Sequence, residues 1–135
     1  MTTQNENEFL WPIRIYYEDT DAGGVVYHTN YIKFMERART EWLRNLGFEQ
    51  DELRDNQGVI FAVRSVQVDY NLPAKFNDEL MISSKVIQFG KASITIEQEV
   101  KRENVVLCKG IIKVATLDDK SFRPKAIPDI LYEKL

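Results

Sequence analysis

The chain contains a single cysteine, Cys108, and a single histidine, His28, in 135 residues. No internal disulfide can form, and a zinc site built from Cys and His ligands is excluded. A reducing compartment is the simplest setting for such a chain. Long apolar runs are also missing: stretches such as residues 59–63 and 105–108 fall far below the ~18 to 20 residues a membrane-spanning helix needs. There is no basic excess, with 18 Lys and Arg against 21 Asp and Glu and a net charge of -3. That balance argues against nucleic acid as a partner. The first eight residues, MTTQNENE, carry no basic residue and no apolar run, the wrong composition for a secretory signal. A cytoplasmic protein with a flexible arm over residues 1–9 is expected.

What is present is ordinary globular material, 44% hydrophobic and 29% charged. The length suits one domain, residues 1–135, large enough to bury a core without covalent staples. Trp11, Ile13, Ile15 and Tyr17 alternate with polar neighbours, which predicts a first strand with Pro12 near its beginning. Asp19 to Gly24 then breaks regular structure. From Tyr31 the spacing becomes helical: Tyr31, Phe34, Met35, Ala38, Trp42 and Leu46 share a face. This predicts a helix over 30–46, capped by Thr29 or Asn30 and ended by Gly47. One short helical turn is expected at 51–55, followed by strands at 59–70, 80–89, 92–101 and 105–117. Short connections at 89–91 and 102–104 make the last three strands an antiparallel meander.

One long helix and about five antiparallel strands give an α+β layer with the helix on one sheet face. A single helix is too narrow to cover so broad a sheet. Association through an edge or the uncovered face, with two-fold symmetry, is the expected remedy.

Chemistry concentrates between the first strand and the helix. Asp21 and His28 flank a Gly-Gly-Val-Val run that leads into the helix N-terminus. Unpaired amides and the positive dipole end there can hold an oxyanion. A carboxylate beside an oxyanion donor is a minimal acyl-transfer site. Taken alone, Asp21 would be read as a turn or helix cap, His28 as a surface histidine and Tyr17 as packing under the loop. Gly23 and Gly24 match no phosphate-binding motif, and their expected use is close backbone approach to a substrate. Cys108 lies in strand alternation as a buried small hydrophobe. No G-x-S-x-G elbow is present.

Residues 17–31, YEDTDAGGVVYHTNY, strongly resemble the signature of hotdog-fold acyl-CoA thioesterases of the 4-hydroxybenzoyl-CoA thioesterase superfamily. With Phe34 to Glu41 and His28, the likeness is greatest to the Tol-Pal-associated YbgC-like subgroup. A weaker match includes Tyr70, Pro73-Ala74 and Asp78, and returns at Arg123-Pro124 and Ile127-Pro128. The resemblance implies a hotdog fold, a five-stranded antiparallel sheet wrapped around one long helix. It also implies hydrolysis of acyl-CoA to free acid and CoA without metal or other cofactor.

By the same resemblance Asp21 is the catalytic carboxylate and the amide of residue 28 polarises the thioester carbonyl. Tyr17 and the His28 side chain match further active-site positions, and the expected substrate contacts are Gly24, Val25, Tyr27, Asn30 and, as a basic hairpin residue facing the CoA phosphates and not by the family motif, Lys91. Arg64, Lys75 and Arg123 are the other basic residues available to CoA phosphates. Asp21 as nucleophile and Asp21 as general base both remain open. Dimers or tetramers with sites at subunit boundaries are implied, with acyl carrier protein or phospholipid-synthesis enzymes as further partners. The alternative is a non-catalytic hotdog that binds acyl-CoA or acyl carrier protein and serves the cell envelope or phospholipid synthesis. A hotdog dehydratase ranks last, because its His-Phe-Pro-type motif is missing.

Overall fold

The computed structural model describes residues 8–135. Alternating apolar and polar residues build five strands: β1 (Glu8–Arg14), β2 (Val59–Tyr70), β3 (Glu79–Phe89), β4 (Ser93–Arg102) and β5 (Val105–Asp118). They pair antiparallel in the order β1-β3-β4-β5-β2, so the predicted β3-β4-β5 meander forms and β1 and β2 are the edges. The helices are α1 (His28–Asn45), α2 (Gln50–Gln57) and α3 (Asp129–Tyr132). This is the expected α+β hotdog, a long helix held in the curve of a five-stranded sheet. No helix among the described residues is long and apolar enough to cross a membrane.

Most of the expected arm at 1–9 lies outside the described residues, but its last two positions do not fit that expectation. Glu8 and Phe9 already belong to β1, paired with Lys85 and Ser84, and Phe9 packs against a core group containing Trp42 and Ile96. The strand therefore starts earlier than predicted and stops at Arg14. Pro12 sits inside it opposite Met81, which an edge strand tolerates because one side of its ladder is open.

α1 starts two residues before the predicted position. Tyr27 occupies the cap position without a side-chain bond, so neither Thr29 nor Asn30 caps the helix. At the other end Gly47 stops it as predicted: its φ is +99°, its N–H donates to the Arg44 carbonyl, and the Phe48 N–H reaches back to Leu43. α2 occupies eight residues, more than the single turn predicted, and ends at left-handed Gly58.

The helix buries Tyr31, Phe34, Met35, Ala38 and Trp42 against the sheet. Ile82, Ile94, Ile96, Val100, Cys108 and Ile112 meet it from β3, β4 and β5. Gln98 lies fully buried among them, donating to the Met35 carbonyl and to Ser84 Oγ, and accepting from Arg39. Contact is tightest at Gly110, where an added Cβ would stand 2.8 Å from Met35 Sδ.

Over β2 the cover is only partial: Phe61 and Val68 still pack against the core. Val63, Val66 and Tyr70 of β2 oppose the core residues Val114, Ile112 and Cys108, so they share the helix-side face. They are nevertheless 50%, 41% and 45% exposed.

The Gly110 contact is testable. Gly110→Val should lower the unfolding free energy by about 1–3 kcal/mol through overpacking against Met35, measured by denaturant unfolding. Wild-type stability would show that the helix seat is loose.

Candidate active site

After β1 the chain makes a 3-10 turn at Tyr17–Asp19 and reaches α1 at His28. Only Ile15 and Val26 at the ends of this segment are buried, and Asp21, Ala22, Gly23 and Gly24 between them are exposed. Hydrogen bonds therefore shape it. Both oxygens of Asp19 are occupied, one by the Tyr16 N–H at 2.9 Å and one by the Asn30 side-chain amide at 2.9 Å. The Asp19 carbonyl also accepts the Tyr27 N–H. Asp19 thus closes the loop and is unavailable for chemistry.

Asp21 differs in each of these respects. Its backbone N–H donates to Val25 and its carbonyl accepts from Gly24, making a tight turn in which Gly24 takes φ +82°. One carboxylate oxygen accepts the Gly23 N–H at 2.8 Å. Among the described residues this is the carboxylate's single hydrogen bond, and it joins no ion pair. A Cβ at Gly23 would press to 3.2 Å from that oxygen, so a small residue there lets the carboxylate fold over its own turn.

A second segment, residues 71–78, backs the loop. The Val26 N–H donates to the Ala74 carbonyl, and the Ala74 N–H donates to the Tyr31 hydroxyl, each at 2.9 Å. Val25 and Lys75 form an isolated bridge. From the end of β2 the Tyr70 hydroxyl donates to the His28 carbonyl at 3.0 Å. A cavity of about 240 Å³ opens here, with Val26, His28, Tyr31, Tyr70, Leu72 and Pro73 in its wall. Burial raises the pKa of both Tyr31 and Tyr70, so both keep their protons at neutral pH.

His28 is the first residue of α1, so its amide is among those without an intrahelical acceptor and lies at the positive dipole end. Its exposed imidazole sits beside Tyr27, with centroids 4.5 Å apart, and edge-on to Tyr70 at 6.2 Å. Tyr17, 79% exposed, meets Phe76 edge-on at 5.8 Å. Chemically the arrangement offers a carboxylate, an amide at a helix start and an apolar, aromatic-lined recess.

Of the residues expected from sequence, Asp21, Gly24, Val25, Tyr27, His28 and Asn30 fall in this loop and first helical turn, and Tyr17 stands at its entrance. Asn30 is present, but its side-chain amide is turned to Asp19. Lys75 lies against the loop through its bridge to Val25. Lys91 does not join them within one chain. It adjoins Ser93, which pairs with Ala115, whereas the site flanks Tyr70, which pairs with Cys108. Those registers are separated by about 23 Å at roughly 3.3 Å per residue. Arg123 belongs to that distant end too, its carbonyl bonded to the Asp118 N–H, and Arg64 sits exposed at the β2 bulge.

The hydroxyls of Tyr31 and Tyr70 and the backbone of Ala74 had no assigned role in the sequence. Tyr31 was legible as part of the apolar stripe and as the last residue of the family signature, and Tyr70 and Ala74 only as matches to the family pattern. Cys108 is fully buried, and burial, followed by the charge of Asp69, pushes its thiol up to about 12. It is a neutral core side chain.

A family model, the Thioesterase-like superfamily, matches residues 16–135. The acyl-CoA thioesterase YbgC of Haemophilus influenzae is 46% identical over 123 residues, covering 91% of this chain and 90% of its own. The Helicobacter pylori protein of the same name is 33% identical over 131 residues, with 90% and 96% covered. Among solved structures, a probable thioesterase from Bartonella henselae superposes with a TM-score of 0.86 at 29% identity, covering 90% of this chain and 99% of that one. The likeness thus extends well past the signature loop through strands β2 to β5, and the chain belongs to the Thioesterase-like superfamily, within its YbgC-like hotdog branch.

Proposed function

We propose that the protein hydrolyses acyl-CoA thioesters to a free carboxylic acid and CoA, with Asp21 as the catalytic carboxylate and the His28 amide as the oxyanion donor. The observation that carries this reading is the pairing of an unburdened carboxylate with a helix that starts at His28. The names of the similar proteins, acyl-CoA thioesterases, support the reaction class.

The chemistry asks little of the protein. A nucleophile adds to the thioester carbonyl carbon, the carbonyl oxygen takes negative charge, and the carbon–sulfur bond then breaks. A thiol of pKa near ~8.5 leaves without strong proton donation. The electrophile is polarised by a fixed amide, which costs no reorganisation during reaction. Asp21 either takes the proton of the attacking water or attacks the carbonyl itself, giving a mixed anhydride that water then opens. In both routes the products are acid and CoA, and no electron carrier is consumed. His28, Tyr31 and Tyr70 line the recess that receives the acyl end, and Tyr27 sits beside His28.

The site is completed, in this reading, by a second copy of the chain. The exposed helix-side row Val63, Val66 and Tyr70 continues from the recess along an edge strand whose backbone groups are open on one side. Lys91, distant within one chain, becomes available to the CoA only from another copy.

Three measurements test this. Thiol release from short, long and aromatic acyl-CoAs should be detectable for wild type, and Asp21→Asn should lose about 100-fold or more in kcat. Equal rates for the two proteins would overturn the assignment. Cys108→Ala should keep wild-type turnover, since a buried neutral thiol takes no part, and a large loss would mean that a nucleophile has been missed. Light scattering should give an even multiple of the monomer mass, and a stable active monomer would refute the two-copy site.

A further inference from the structure

Asp19 holds Tyr27 from within the loop and Tyr70 holds the His28 carbonyl from β2, while the Val26 N–H, two positions before the helix start, is held from the 71–78 segment through Ala74. That segment forms no strand, and all but Ala74 and Asp78 of its side chains are exposed. Asn77 holds a left-handed φ of +70°, a conformation asparagine adopts more readily than other L residues and one that suits a tight turn. A polar staple holds the turn. Arg102, the last residue of β4, uses one guanidinium nitrogen to reach two points of the turn, Asp78 Oδ2 at 2.7 Å and the Pro73 carbonyl at 3.3 Å. Asp78 Oδ2 also accepts the Lys75 N–H at 2.8 Å, and the Lys75 carbonyl accepts the Asp78 N–H. The turn is then tied to the start of the loop, because Ile15 donates to the Asp78 carbonyl and accepts from Asn77.

Ala74 lies inside this staple, between Pro73 and Lys75. Its carbonyl holds the Val26 N–H and its N–H holds the Tyr31 hydroxyl. A short polar path therefore runs from Arg102 through Asp78 and Pro73 to Ala74, and from there to the residue two positions before the helix start. The two charged side chains are 35% and 23% exposed, so the pair is screened less than a surface pair. Burial alone would raise the Asp78 carboxyl, but the Lys75 amide and Arg102 outweigh it and keep the acid ionised below its ordinary range.

We propose that Arg102 and Asp78 are positioning residues for the thioesterase site: they touch no substrate, and their ion pair sets the register of the 73–78 turn and so the placement of the His28 amide. The catalytic part rests on the function proposed above; the positional part does not. Misplacing a reacting group by about an ångström costs orders of magnitude in rate, so the effect should fall on kcat more than on KM.

His28 is the sole histidine, which makes its imidazole NMR signal a probe of the site that is independent of turnover. Arg102→Met and Asp78→Asn should each shift that signal and lower kcat about tenfold, with KM within about twofold of wild type. The double variant should be no worse than either single one, the mark of residues acting as a unit. Arg102→Lys should restore most of both readouts. Should Arg102→Met fail to fold, the isosteric Asp78→Asn carries the same test. A folded variant with an unmoved His28 signal and wild-type kcat overturns the proposal, as do losses that multiply in the double variant. If wild type hydrolyses no acyl-CoA, the proposed function fails while the His28 signal still decides whether the staple positions the helix start.

Discussion

The structure depends on how closely α1 can approach the sheet, and that approach is set by a missing side chain. At Gly110 of β5 the space a Cβ would need is taken by Met35 Sδ. The buried Gln98 amide grips the Met35 carbonyl from β4, so the same turn of helix is held by packing on one strand and by a hydrogen bond on the next. With the middle of the helix pinned in depth and register, its first residue has a fixed position relative to Tyr70 and Ala74. Every element of the site is measured from that point.

The segment proposed to bear the chemistry is treated differently from the core. A loop that must meet a substrate cannot bury itself, and this one buries only Ile15 and Val26. Polar bonds take over the work of packing: Asp19 cross-links the loop to the first helical turn, and Ala74 holds Val26 from behind. Such bonds are directional and individually worth only ~0.5 to 1.5 kcal/mol net, so the loop is accurate only while its partners stay in place. The accuracy of the site is thereby inherited from residues that never face it.

Local pattern was sufficient wherever local forces decide. Strand β2 carries the predicted bounds, Val59–Tyr70, and the α1 terminus follows from Gly47. Pattern was insufficient where a distant contact decides. β1 reaches back to Glu8 because Phe9 finds a core partner group that includes Trp42, more than thirty residues away in sequence. The helix begins at an uncapped Tyr27 because Asn30, the apparent cap, is used across the loop by Asp19. Composition and spacing also left Asp19 and Asp21 equivalent, two loop carboxylates before a helix; only the family signature preferred the second. The hydrogen bonds give that preference a physical content, since Asp19 has both oxygens engaged and Asp21 has one. The bonds of Tyr31 and Tyr70 could not be read at all, because an aromatic stripe and a hydrogen-bonding hydroxyl have the same spelling.

Tyr70 joins the two unfinished features of the molecule. Its hydroxyl holds the His28 carbonyl, while its ring, 45% exposed, ends the uncovered row that begins at Val63. An apolar row on an open edge strand is costly in water and invites pairing. Under the two-copy arrangement proposed above, covering that row would also dry the surroundings of the Tyr70–His28 bond. A hydrogen bond in a drier site is electrostatically stronger, so assembly would stiffen the helix start at the moment it closes the recess. The exposed row is then no defect of a helix too narrow for its sheet. Under that proposed arrangement it is the part of the active site that a single chain leaves open.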